Sequence, residues 1–147
     1  MRRLLPLPAL LACLLWPLAA LADLAVIVHP DNPVQALTQK QVSDLYLGRT
    51  RHFSVAESTA PIPATVYELP PDSPLRESFF HALNGMPIKQ INAYWARLRY
   101  SGEVLPPPAL PDSRSVLQAV SHDRNAIGYV DAATVDHSVK VVLRLKE

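Results

Sequence analysis

Four short stretches rich in valine, isoleucine and leucine, at 24–28, 62–69, 126–130 and 139–145, are separated by segments whose apolar residues recur every three or four positions. This interleaving restricts the fold more than any other feature, because strands that alternate with helices must build a layered α/β sheet. The first stretch is continuously apolar, as in a strand buried on both faces, and His29-Pro30-Asp31-Asn32-Pro33 stops it. In the last, Val139, Val141, Leu143 and Leu145 alternate, the pattern of a half-buried strand. Residues 62–69 read as one strand, with Pro63 near its start, where a missing amide is tolerated.

The intervening segments carry explicit helix signals. Thr38 with Gln41 three residues on forms a capping box, Leu37 and Val42 flank it as a staple, and Gly48 supplies the stop. Val42, Leu45 and Tyr46 share one face of that helix. A second helix runs from Pro74 to Asn84, with Ser73 as cap, Pro74 at the first helical position and Leu75, Phe79 and Leu83 as the buried stripe. Pro87 opens a third, in which Ile88, Ile91, Trp95 and Leu98 keep helical spacing. Asp112 or Ser113 caps a short fourth carrying Val116, Leu117 and Val120, and Asp131 is placed to cap a final turn. Residues 49–61 read as an exposed connection. Four prolines in 105–111 dictate an extended surface segment.

The N-terminus has a different character. Arg2 and Arg3 precede an apolar run at 4–21, and Ala20-Leu21-Ala22 places small residues where a signal peptidase reads. That order predicts a signal peptide over 1–22, cleaved after Ala22, and export to the periplasm. A spanning helix needs about 20 apolar residues, and Pro6, Pro8 and Pro17 interrupt a run barely that long. A lipid anchor at Cys13 would leave a hydrophobic mature end. Cleavage would remove Cys13, the only cysteine, so residues 23–147 have no thiol chemistry. Fourteen Lys and Arg less Arg2 and Arg3 leaves twelve, against thirteen Asp and Glu, a net charge of about −1. Neither nucleic-acid binding nor a charged tail is indicated. The remaining residues suit one domain.

Enzyme signatures are mostly absent. His29, His52, His81, His122 and His137 show no ligand-pair spacing, and there is no Gly-x-Ser-x-Gly motif or glycine-rich phosphate loop. Glu68, Asp72 and Glu77 are as well explained by solubility and capping as by acid–base work. No cofactor is implied. One constellation carries ligand chemistry: Asp72-Ser73-Pro74-Leu75-Arg76 puts a hydroxyl, first-turn amides and a guanidinium at a helix start. Such starts concentrate unpaired amides and positive partial charge, and arginine can fork an oxyanion. Ser73, the amide of Leu75 and Arg76 are therefore candidate anion ligands. On spacing alone the plainer reading is that Ser73 caps the helix and Arg76 is solvated.

The order of segments resembles the phosphate-binding proteins of ABC uptake systems, in the type 2 periplasmic solute-binding superfamily. The matching pieces are residues 25–33, Leu37-Thr38 with Val42-Ser43-Asp44-Leu45-Tyr46-Leu47-Gly48, Asp72-Ser73-Pro74-Leu75-Arg76 with Phe79, and Ala126-Ile127-Gly128-Tyr129-Val130. Four such motifs in the right order imply a single three-layer lobe, a mixed sheet flanked by helices, over 23–147. They imply phosphate or a similar oxyanion as ligand and an ABC transporter permease as partner. Pro74 and Asp72 stand where that family has glycines, and Leu69 where it often has arginine; Pro74 removes an amide donor. The family's long N-terminal portion has no counterpart, so a homodimer or a partner protein would supply the missing wall, with Tyr94, Trp95 and Tyr100 as candidates to face it. The plainer reading of Trp95 is core. The alternative function is a non-catalytic periplasmic interaction module, partnering a transporter or sensor, that keeps the lobe fold without ligand capture.

Overall fold

The computed structural model describes residues 23–55 and 60–146; the predicted signal peptide, with Cys13, lies outside them. In chain order the elements are β1 (Leu24–Val28), α1 (Gln39–Tyr46), β2 (His52–Phe53), β3 (Ile62–Pro63), β4 (Thr65–Val66), α2 (Pro74–Asn84), α3 (Ile88–Ser101), α4 (Ser113–Ser121), β5 (Ala126–Asp131), a 3-10 turn (Ala132–Thr134) and β6 (Lys140–Leu145). The main sheet has the order β4-β5-β1-β6, and β2 and β3 form a separate ribbon. β1 runs antiparallel to both neighbours, whereas β4 pairs parallel with β5, so the sheet is mixed as predicted. All five residues of β1 are buried, as its unbroken apolar run requires of a central strand.

Helices cover both faces. Along β5, Gly128 and Tyr129 point to opposite sides. A Cβ on Gly128 would meet Val116 and Val120 of α4, while Tyr129 stacks on Phe79 of α2 at 3.7 Å between centroids and 4° between planes. Tyr46 of α1 packs edge-on against Phe79, Phe80 and Tyr129, completing an aromatic layer. Such pairs add about 0.5–1.5 kcal/mol each beyond the area they bury. α3 lies outside α2, with Ile91 and Trp95 turned inward.

The capping chemistry follows the sequence. Thr38 and Gln41 form the full capping box, Asp112 rather than Ser113 caps α4 through the Ser115 amide, and Asp131 caps the 3-10 turn through Ala133. Three expectations are corrected. Residues 62–69 are not one strand: Pro63 ends the pairing with β2, Ala64 turns its amide to the Arg51 carbonyl, and Thr65 and Val66 pair with β5, where the Tyr67 amide also donates to the Ile127 carbonyl at 2.9 Å. Within the supposed connection at 49–61, β2 places Phe53 in the core. In β6 the register shifts where Val26 pairs Leu143 and Ile27 pairs Val141, leaving Val142 as a bulge residue that is itself buried. Strict alternation is lost there. No helix among the described residues is long and apolar enough to cross a membrane.

Beyond β4 the chain stays extended to Glu68, which forms a parallel bridge with Ala109. The Glu68 amide donates to the Pro108 carbonyl at 3.0 Å and Leu110 donates to the Glu68 carbonyl at 2.8 Å. The proline-rich 105–111 segment is thereby strapped to the sheet edge immediately before α2.

Candidate functional site

The turn from Glu68 into α2 fixes the predicted anion ligands. Ser73 adopts an extended backbone, and its Oγ accepts from the Arg76 amide at 3.4 Å, with Pro74 as first helical residue. The hydroxyl and that amide thus satisfy each other. Leu75 is half-buried, with its amide in the first turn, where intrahelical acceptors run out. Arg76 is neither solvated nor spread at the surface beside Ser73. It is 4% exposed, and its guanidinium donates through Nη1 to Asn92 Oδ1 of α3 at 2.6 Å and lies over the Phe80 ring, 5.3 Å from the centroid.

The guanidinium also faces a carboxylate. Arg76 Nε lies 3.4 Å from Glu68 Oε2, an ion pair without hydrogen-bond geometry. Glu68 is 5% exposed, and its Oε1 accepts from the Leu69 amide at 2.9 Å and from the Tyr129 hydroxyl. Burial pushes the Glu68 carboxyl above the usual carboxylate range, opposed by the Arg76 charge and by the hydrogen bonds from Tyr129 and Leu69. Burial first, and then the Glu68 charge, push the Tyr129 phenol well above its ordinary range, so it remains a donor.

These groups line a cleft of about 450 Å³. Glu68, Arg76 and Trp95 form its floor. Asn92, Ala96 and Arg99 of α3 contribute one wall, and Pro106, Pro107 and Ala109 of the strap contribute the other. Ser73 and Leu75 do not line it; they hold the helix turn from which Arg76 enters. Among the described residues, three buried side-chain polar atoms make no hydrogen bond: Glu68 Oε2, Arg76 Nε and Trp95 Nε1. All three belong to residues of this cleft. Glu68 Oε2 and Arg76 Nε face each other as the ion pair, which leaves Trp95 Nε1 as the unpartnered donor, and buried polar atoms of native proteins are nearly always paired. Two guanidinium groups against one carboxylate leave the cleft with one excess positive charge. The arrangement can donate to an oxyanion and offers one acceptor besides. No group of three His, Cys, Asp or Glu suited to a metal ion occurs among the described residues.

Trp95 is in the core, 6% exposed, yet it also floors the cleft. The other missed residues had a readable signal. Asn92, Trp95, Ala96 and Arg99 fall at i, i+3, i+4 and i+7, a second stripe beside the apolar one. Glu68 had none, because its role depends on contacts with residues 76 and 129.

No protein-family model and no curated protein sequence matches the chain. Solved structures do. One from Clostridium perfringens, named as a phosphate ABC transporter substrate-binding protein with bound phosphate, matches with TM-score 0.64 and 24% identity over 84% of this chain and 46% of its own. An ABC-type phosphate transport receptor from Vibrio cholerae matches with TM-score 0.62 and 22% identity over 84% of this chain and 47% of that one. A structure from Planctomyces limnophilus, named as a possible phosphate binding protein, gives TM-score 0.61 and 17% identity over 84% and 42%. The chain spans about half the length of these structures. Its mixed sheet flanked by helices has the periplasmic-binding-protein fold, in the extent of a partial lobe.

Proposed function

We propose that this protein is a non-enzymatic, solute-binding-like module of the periplasm that takes phosphate or a similar oxyanion in the cleft between α3 and the proline-rich strap. The observation that carries this reading is the convergence of Arg76, Arg99 and the unbonded Trp95 Nε1 in a cleft with one excess positive charge. Arg76 brings the sequence-predicted site into the cleft, while Ser73 and the first-turn amide of Leu75 hold the helix start behind it. The fold shared with proteins named for phosphate transport supports the ligand class and an ABC-type permease as partner. Export rests on the N-terminal sequence alone.

A half-site is a weak binder. Two-lobed proteins close around a ligand and exclude water, whereas this cleft faces solvent and its exposed Arg99 is screened by salt. Millimolar affinity, about −4 kcal/mol, suits the donors present. A second copy or a partner protein covering the cleft would tighten it. The test is calorimetric titration of phosphate, with sulfate as control, into wild type and Arg99→Ala. A saturable signal weakened in the variant supports the reading.

The absence of heat with either anion would favour a second reading, an interaction module serving a transporter or sensor. Two observations favour it: Glu68 already neutralises Arg76 from within the fold, and Tyr100 and Leu105, which flank the Gly102 turn, are 94% and 79% exposed. Large apolar side chains left this exposed suit a protein partner.

A further inference from the structure

We infer that the ligand of this cleft is an organic oxyanion, a phosphonate or phosphate monoester with a compact apolar body, rather than the free inorganic anion. The inference rests on the oxyanion reading above and narrows its ligand class.

Size comes first. A tetrahedral oxyanion of five heavy atoms displaces the volume of two to three waters, each about 30 Å³. The cleft, at about 450 Å³, is several times larger. Free phosphate placed against Arg76 would leave most of the space to solvent. Sites for whole organic ligands have this volume, with largely apolar walls and few polar groups.

The walls divide the same way. Asn92 of the α3 wall and Arg76 and Glu68 of the floor are tied together by the Arg76 hydrogen bond and ion pair, so these polar groups form one cluster. Opposite α3, the strap presents Pro106, Pro107 and Ala109, none of which carries a side-chain polar atom. Two of those residues are prolines without an amide, so this wall has little to offer an oxyanion and an apolar surface to offer a hydrocarbon. Ala96 adds a further apolar patch, and Trp95 serves both parts. Its indole ring supplies apolar area, and its buried Nε1 supplies an unpaired donor. A ligand whose anionic head meets Arg76, Arg99 and Trp95 Nε1, and whose body lies on Pro106 and Pro107, uses both the charged and the apolar side of the cleft.

Titration of the purified protein with phenylphosphonate, inorganic phosphate and benzyl alcohol tests this. Phenylphosphonate is expected to bind about tenfold or more tightly than phosphate, and benzyl alcohol alone to bind weakly or not at all. Equal affinity for phosphate and phenylphosphonate, or tighter phosphate, would overturn the inference while leaving the oxyanion reading in place. Binding of neither anion would overturn both. Ala96→Leu, at an exposed helical position, narrows the cleft without burdening the fold and is expected to abolish the preference for phenylphosphonate. A preference that survives in this variant would place the body elsewhere and refute the assignment.

Discussion

Replacing Gly128 by alanine perturbs the packing of α4 on β5 at a single point, with a magnitude set by distance. The added Cβ would sit 2.4 Å from Val116 Cγ1 and 3.3 Å from Val120 Cγ2. Carbon atoms in contact prefer at least about 3.5 Å, so the nearer contact is short by about 1.1 Å. Val116 cannot easily turn away, because a β-branched side chain in a helix has one strongly preferred χ1 and this one is 1% exposed. The helix itself must lift from the sheet. Overpacking of this kind costs about 1–3 kcal/mol, and the depth of the clash puts Gly128→Ala near 3. Val116→Ala alone removes two buried methyl groups and leaves a cavity, at about 2 kcal/mol. In the double variant the new methyl enters the space that Val116 vacated. Its cost should stay near 2 kcal/mol rather than the additive 5, a coupling of about 3. Urea unfolding followed by circular dichroism measures all four corners of the cycle. A Gly128→Ala protein within about 0.5 kcal/mol of wild type, or a double variant whose cost is the sum of the singles, would refute the packing argument.

Three other outcomes are expected. Arg99→Ala should weaken phosphate or phosphonate binding severalfold and flatten its salt dependence, while urea stability stays within about 0.5 kcal/mol, because Arg99 is exposed; equal binding would remove it from the site. Glu68 has a folded pKa raised above its unfolded value, chiefly by burial. The stability it contributes is therefore complete below the unfolded value of 4.5 and lost as pH rises through the folded one; Glu68→Gln should abolish that slope in stability against pH, and an unchanged slope would assign it to another group. At Asp112, hydrogen bonds from Ser115 hold the carboxyl below its ordinary 3.8, so its contribution is present above that value and lost as pH falls through the folded pKa. Asp112→Ala should destabilise the protein at neutral pH and Asp112→Asn should not, as thermal melts would show; equal melting of the two would argue against capping.

Much of the fold was readable because its determinants are local. A capping box, a Pro74 start after Ser73 and an unbroken apolar run at β1 each act within a few residues, and each appears where the sequence puts it. The failures have a common cause. Residues 62–69 look like one strand, but Pro63 and the amide of Ala64 divide their partners between two sheets, a choice made by residues 51 and 125–127. The bulge at Val142 likewise depends on Val26 and Ile27 across the ladder. At the site, the helix start identified Arg76, yet where its guanidinium points was decided by Glu68, eight residues earlier, and Asn92, sixteen later. A surface arginine and a buried one have the same local sequence.

The strap at 105–111 also bears on how copies of the chain meet one another. An open sheet edge is a template for further strands. Here the chain just past the β4 edge is flanked by a segment whose inner side bonds to Glu68 and whose Pro106, Pro107, Pro108 and Pro111 have no amide to offer a newcomer. At the opposite edge, Leu37 donates to the Val142 carbonyl, and the bulge there spoils the spacing that an added strand would need. Both borders of the sheet therefore resist edge-to-edge growth and the fibrous aggregation it seeds. A second copy would have to dock through helices or across the cleft.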